Sequence, residues 1–159
     1  MPNPPRPLLA THGGTFHLDD AFAYAVLRLA LGLREPGGDH TLVRTRDEAV
    51  IAGADLVWDV GALYDPAASR FDHHQRGAPT REDGTPFSAA GLVWRAYGEA
   101  AVRALLDSGL DPSPAGVAAA VAAEVEREVV RRVDEIDNGV GQPGGSRKSE
   151  TVGLPSRSR

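Results

Sequence analysis

Leu8-Leu9-Ala10-Thr11-His12-Gly13-Gly14-Thr15-Phe16-His17-Leu18-Asp19-Asp20 is the stretch that decides the fold. Leu8 to Thr11 reads as a short buried strand that ends at His12-Gly13-Gly14. From Asp19 the pattern turns helical: Ala21, Phe22, Ala25, Val26, Leu29 and Leu33 recur at three- and four-residue spacings until Gly37-Gly38 breaks it. The same alternation continues along the chain. Thr41 to Arg44 predicts a second strand, Asp47 to Ile51 a brief helix, and Leu56 to Val60 a third strand. Tyr64-Asp65-Pro66 reads as a turn, and Arg70-Phe71 as a fourth strand leading into Asp72. Strand, helix, strand, helix, strand at these intervals predicts an α/β domain, a mainly parallel sheet flanked by helices. Chemistry in such sheets gathers at the carboxyl ends of the strands, where His12 and Asp59 both fall.

The second half predicts two helices. Ser88 can cap one that runs to about Leu106, and Ser113-Pro114 starts another with proline in its first turn. Val117, Val121, Val125, Val129 and Val133 would line one side of it, and Asn138-Gly139 would stop it.

Bulk composition narrows the class. A chain of 159 residues makes one domain with a core of useful size, and 42% apolar with 25% charged residues is ordinary for a globular protein. The absence of cysteine excludes disulfides, zinc-thiolate sites and thiol nucleophiles. Met-Pro-Asn-Pro-Pro-Arg-Pro at the start has no apolar stretch suited to a signal peptide. No run approaches the ~20 apolar residues that span a bilayer, so a cytoplasmic protein with no membrane partner is expected. Residues 143–159 carry Arg147, Lys148, Arg157 and Arg159 against Glu150, a net of +3, so with a total of −5 residues 1–142 carry −8. That tail, almost free of apolar residues, is expected to be disordered. The negative total argues against a broad basic face for nucleic acid, but an acidic chain can act on phosphates when a metal supplies the positive charge.

Four of the five histidines fall in two segments, His12 to Asp20 and Phe71-Asp72-His73-His74-Gln75. His40 stands apart beside a turn and is assigned no role. Both segments mix imidazole with carboxylate, and Asp59 ends the apolar run between them. Two metals about 3.5–4 Å apart need a shared acidic bridge ringed by His or Asp, and Asp59 suits the bridge. Imidazole with carboxylate and no thiolate favours Mn²⁺, Mg²⁺ or Fe²⁺. Each group also has a plain structural reading: His12 as a core or capping histidine, Asp19 or Asp20 as a helix cap, Asp59 as a strand terminus. Three polar strand ends together favour the metal. Asp134 and Asp137, three apart at a helix end where the dipole disfavours carboxylates, mark at least one further functional candidate.

Together these motifs resemble the melanocyte-proliferating-gene family, within the wider group of DHH-type phosphoesterases. The carriers are Thr11-His-Gly-Gly-Thr-Phe-His17-Leu-Asp19-Asp20-Ala, Val43-Arg-Thr-Arg-Asp47, Trp58-Asp-Val-Gly61, Tyr64-Asp-Pro66, Arg70-Phe-Asp-His-His-Gln-Arg76, Ser88-Ala-Ala-Gly-Leu92 and Val133-Asp-Glu-Ile-Asp-Asn-Gly139. The likeness runs from about Leu8 to Gln142. It implies a DHH-phosphoesterase-like N-terminal domain over residues 1–142, followed by the 143–159 tail where the family has a second, substrate-binding domain.

The implied activity is divalent-metal-dependent phosphodiester hydrolysis, 3′–5′ exonuclease-like on RNA or short nucleotides, by two-metal activation of water. The alternative is an inactive truncated metal- or nucleotide-binding module. Two divalent ions are implied, Mn²⁺ first and Mg²⁺ second, with His12, His17 and Asp59 on one and Asp19, Asp59, His73 and Asp137 on the other. His74 would lie near the scissile phosphate, and Asp72 would orient the histidine pair. Arg44, Arg46 and Arg76 are candidate phosphate contacts. A cleft left open by the missing domain would give a route to a homodimer.

Overall fold

The computed structural model describes residues 6–107, 114 and 116–140. Strands β1 (Leu8–Thr11), β2 (Thr41–Arg44), β3 (Leu56–Trp58), β4 (Tyr64–Asp65) and β5 (Arg70–Phe71) form one sheet in the order β2-β1-β3-β5-β4. β1 runs parallel to both β2 and β3, and β3 parallel to β5; the edge strand β4 is antiparallel to β5. Around this sheet lie α1 (Leu18–Ala30), α2 (Glu48–Gly53), α3 (Ala89–Leu106), α4 (Val117–Val125) and α5 (Arg131–Asp137). The expected α/β architecture is the observed one.

Alternation along the strands sorts side chains to the two faces. Leu9, Leu56, Trp58 and Phe71 pack with Ala23, Val26 and Leu27 of α1 and with Leu92 and Val93 of α3, forming the main core. Ala10 and Val57 face the other way and pack with Ile51 of α2 in a smaller cluster. Full burial of each large apolar side chain contributes about 1.5–3 kcal/mol, so the main core dominates stability. α1 and α2 therefore cover opposite faces. The chain leaves β1 toward β2, then returns past β1 to β3, so β1 and β3 flank the point where the strand order reverses. In open α/β sheets the crevice outside the carboxyl ends at that point is where ligands bind.

Local departures from expectation have local causes. β3 ends at Trp58 rather than Val60 because Asp59 adopts φ 55°, and Gly61 (φ 97°) and Ala62 (φ 51°) stay left-handed. α1 stops at Ala30, short of Leu33, with Leu31 as C-cap and Gly32 at φ 65°. Tyr64-Asp65 is a strand rather than a turn; the Asp65 carboxylate then accepts from Ala67 and Ala68 N–H to start a 3-10 turn over Pro66–Ala68. α3 begins as expected, with Ser88 Oγ accepting from Ala90 N–H at 3.2 Å. His40, assigned no role, is fully buried between the Tyr24 hydroxyl (2.7 Å) and Asp39 (2.6 Å).

The valine stripe is the main correction. Helix α4 gives way to a π-helical turn over Glu126–Val130, and α5 follows. The wider turn takes an extra residue, so the helical spacing does not carry through it. Val121 and Val129 are 38% and 44% exposed, while Ala118, Ala122, Val130 and Val133 are buried. The expected helix start at Ser113 and the 143–159 tail lie outside the described residues.

This register delivers Asp134, fully buried, to the start of α3. Its Oδ1 accepts from Ser88 N–H (3.0 Å), Ser88 Oγ (2.6 Å) and Gly91 N–H (3.0 Å). Its Oδ2 pairs with Arg81 at 2.7 Å, and Arg81 also binds Glu126 of the π turn while lying over the Phe87 ring. Asp134 is thus a clamp between α5 and α3. Replacing Asp134 with Ala leaves three buried donors without an acceptor and Arg81 with Glu126 alone, and is expected to cost about 1–3 kcal/mol, read as a lower urea midpoint. Gly91→Ala is expected to destabilise too, since a Cβ there would run into the Asp134 carboxylate.

Candidate metal centre

Three strand ends build the site. His12 follows β1, Asp59 follows β3, and Asp72-His73-His74 follows β5, all at the carboxyl edge beside the strand-order reversal. The N-terminus of α1 adds His17 and Asp19, and the C-terminus of α5 adds Asp137. These side chains line a cleft of about 1090 Å³ together with Arg46, Ile51, Val60, Leu63 and Asn138, while Asp19 sits buried behind it.

Asp59 is the central group. Its Oδ2 lies 3.4 Å from His12 Nε2, and its Oδ1 lies 3.1 Å from His73 Nε2 and 3.6 Å from His74 Nδ1. The left-handed backbone that presents it costs about 1–2 kcal/mol in an L-residue and is tolerated best by Asp or Asn. Strain of this kind is held in place at functional sites.

Asp20 anchors the other half. It accepts from Thr11 Oγ1 (2.8 Å) and from His17 backbone N–H (3.1 Å), and its Oδ2 meets His12 Nε2 at 2.8 Å. One carboxylate thereby fixes the helix start and the His12 ring. Asp72 does similar work in its own loop: Oδ2 accepts from Ala62 N–H (2.6 Å), and Oδ1 from His73 N–H (2.7 Å) and His74 Nδ1 (2.7 Å). His74 stands 60% exposed with Nε2 facing away from that bond.

Asp19 is different. It is 1% exposed, and neither carboxylate oxygen has a hydrogen-bond partner. Burial, then the negative charges of Asp59, Asp137 and Asp20, push its carboxyl up to about 7. Burial and Asp59 also raise Asp137, against the pull of His73. His73 lies 3.5 Å from Asp137; burial alone would lower its imidazole, but the Asp59 hydrogen bond and the surrounding carboxylates raise it. His12 is raised by Asp20 and Asp59 against the same burial effect.

Ligand atoms close enough to share a cation fall into three overlapping sets: His12, His17, Asp20 and Asp59; Asp59, Asp72, His73 and His74; and His17, Asp19 and Asp137. All six side chains expected to hold metal are therefore brought together, with Asp19 and Asp137 beside His17 rather than in one set with His73. The orphaned oxygens of Asp19 and the His/Asp donor chemistry fit hard or borderline divalent ions. Asp134 does not reach the site. Arg46 lines the cleft, with Nε 3.4 Å from the Gly13 carbonyl; Arg44 bonds the Gly14 carbonyl just outside it; Arg76 is exposed and outside the lining. Sequence reasoning missed Asp20 as a site residue. Its position three residues after the helix cap was the available signal, because a carboxylate there reaches back to the cap.

Fold and site define an α/β domain with a cluster of His and Asp side chains, of the kind that holds a cation, at the strand-order reversal. Over residues 8–158 the chain matches the family model MYG1_exonuc, described as an uncharacterised protein family (UPF0160), and it belongs to that family. It is 38% identical over 147 residues to the MYG1 exonuclease of Homo sapiens, covering 87% of this chain and 37% of that protein. Against the MYG1 exonuclease of Mus musculus it is 36% identical over 164 residues, covering 97% and 41%. Against a MYG1 protein of Saccharomyces cerevisiae it is 33% identical over 135 residues, covering 83% and 38%. The chain thus spans between 37% and 41% of the lengths of these relatives. No solved structure matches it. Among the described residues, no helix is long and apolar enough to cross a membrane.

The Asp19 environment sets a pH dependence. An acid raised on folding adds stability that is full below its ordinary value of 3.8 and is lost as pH rises through about 7. In metal-free protein, Asp19→Asn is expected to raise the thermal midpoint above about pH 7 and to flatten the wild-type gain on acidification. Mn²⁺ should raise the wild-type midpoint more than that of the variant. Scanning fluorimetry with and without chelator reads all three changes.

Proposed function

We propose that this chain is a divalent-metal-dependent phosphodiester hydrolase, acting 3′–5′ on RNA or short nucleotides. The observation that carries the reading is Asp59, whose two oxygens face His12 on one side and His73 on the other. A carboxylate so placed suits a bridge between two cations, and the mammalian relatives are named as exonucleases. Divalent ions, Mn²⁺ before Mg²⁺, would neutralise charge on the phosphoryl oxygens and activate water. His12, His17, Asp59, Asp19, His73 and Asp137 would hold them.

The chain's own groups supply the rest. Asp72 binds His74 Nδ1 and so leaves Nε2 as the nitrogen that can pass a proton to the leaving oxygen in the cleft. The Gly13 carbonyl, 3.1 Å from His12 Nδ1, orients that ring and leaves Nε2 toward Asp59 and Asp20. Ile51, Val60 and Leu63 make one wall of the cleft apolar, which strengthens electrostatic contacts beside it. Arg46 stands where it can meet a phosphate.

Hydrolysis of bis-p-nitrophenyl phosphate and of a short labelled RNA with Mn²⁺ tests this reading. Cleavage of both is expected, abolished by chelator and reduced by a factor of about 10² or more in Asp59→Ala. Two Mn²⁺ bound per chain with neither substrate cleaved would instead make it a metal-binding module without turnover.

A further inference from the structure

Phe16 sits between the glycine turn and His17, and the residue is 39% exposed. It packs in neither apolar cluster of the domain. What it does contact is Arg44, whose guanidinium carbon lies 4.9 Å from the ring centroid. Arg44 is itself held by a bond to the Gly14 carbonyl. The β1–β2 pairing continues one step past the strands, with Thr45 N–H donating to Thr11 O at 2.8 Å. Arg44 and Arg46 therefore project to the same side of an extended segment. Each spends a donor on the glycine turn, through Gly14 and Gly13 respectively, and each guanidinium carries five donors in all.

The result is a flat aromatic ring backed on one face by a fixed cation, with a second arginine two residues on that lines the metal cleft. Bases freed from a duplex stack on such rings, and guanidinium groups follow the backbone beside them. Duplex bases have no free face to offer.

We propose that Phe16, backed by Arg44, is a stacking platform that holds one unpaired RNA base beside the metal centre. This rests on the phosphodiesterase reading and adds to it a preference: single-stranded RNA ends over duplex. Arg44 acts as a positioning residue for the ring, and Arg46 meets the backbone.

Fluorescence anisotropy of a 5′-fluorescein hexaadenylate tests the platform, with Ca²⁺ in place of Mn²⁺ and the RNA shown to remain intact. Phe16→Ala is expected to weaken binding about tenfold, and Phe16→Trp to restore it. The slope of affinity against salt should stay that of the wild type in Phe16→Ala, because no charge is lost, and should fall by about one in Arg46→Gln. The Phe16→Ala penalty should vanish on a ribose-phosphate hexamer without bases. Thermal midpoints confirm that the variants fold. Wild-type binding by Phe16→Leu, or an equal penalty on the abasic hexamer, would overturn the platform. So would a wild type that hydrolyses bis-p-nitrophenyl phosphate yet binds no RNA. Absence of both hydrolysis and RNA binding would overturn the phosphodiesterase reading and the platform with it.

Discussion

Mutual repulsion among carboxylates gathered at one crevice is the constraint on which this domain is organised. Asp19, Asp20, Asp59 and Asp137 arrive from α1, the end of β3 and the end of α5, and the first three are buried. Burial removes the water that would screen them, so each needs a donor, a proton or a cation. Asp20 is satisfied by Thr11, His12 and the His17 backbone, and Asp59 by His12 and His73. Asp19 has no hydrogen bond of good geometry to either oxygen. The fold has spent its hydrogen bonds on aiming the histidines and left one buried charge for a cation or a proton to answer.

The two acids of α5 divide the labour. Asp134 and Asp137 stand one turn apart, and the sequence presents them as equivalent candidates. The structure gives Asp134 to Ser88, Gly91 and Arg81, and Asp137 to the neighbourhood of His17 and His73. The buried clamp fixes the helix against α3, and that rigidity places the second carboxylate at the cleft. A catalytic reading of both, or a structural reading of both, would have missed the coupling.

Much of this was legible because the chain punctuates its elements locally. β1 and β2 begin and end where their apolar runs do, Ser88 caps α3 as its hydroxyl suggests, and the His and Asp residues at strand ends advertise the site. What stayed hidden depended on partners far along the chain. Nothing near Asp20 in sequence announces His12 as its partner beyond the helix-cap position, and Arg81 is 53 residues from Asp134 in the same numbering. The valine stripe misled for a different reason: five valines at a spacing of four fit an unbroken α-helix, and no residue type marks the place where a helix widens.

That widening has a consequence for how the domain tolerates change. Successive residues of an α-helix are offset by about 100° around its axis, so the extra residue taken up within Glu126–Val130 sets the rotational phase of everything after it. Loss of one residue from this segment would leave good helix formers and an intact hydrophobic content, yet turn Asp134 and Asp137 away from their partners together. Length, rather than composition, is what this segment must preserve.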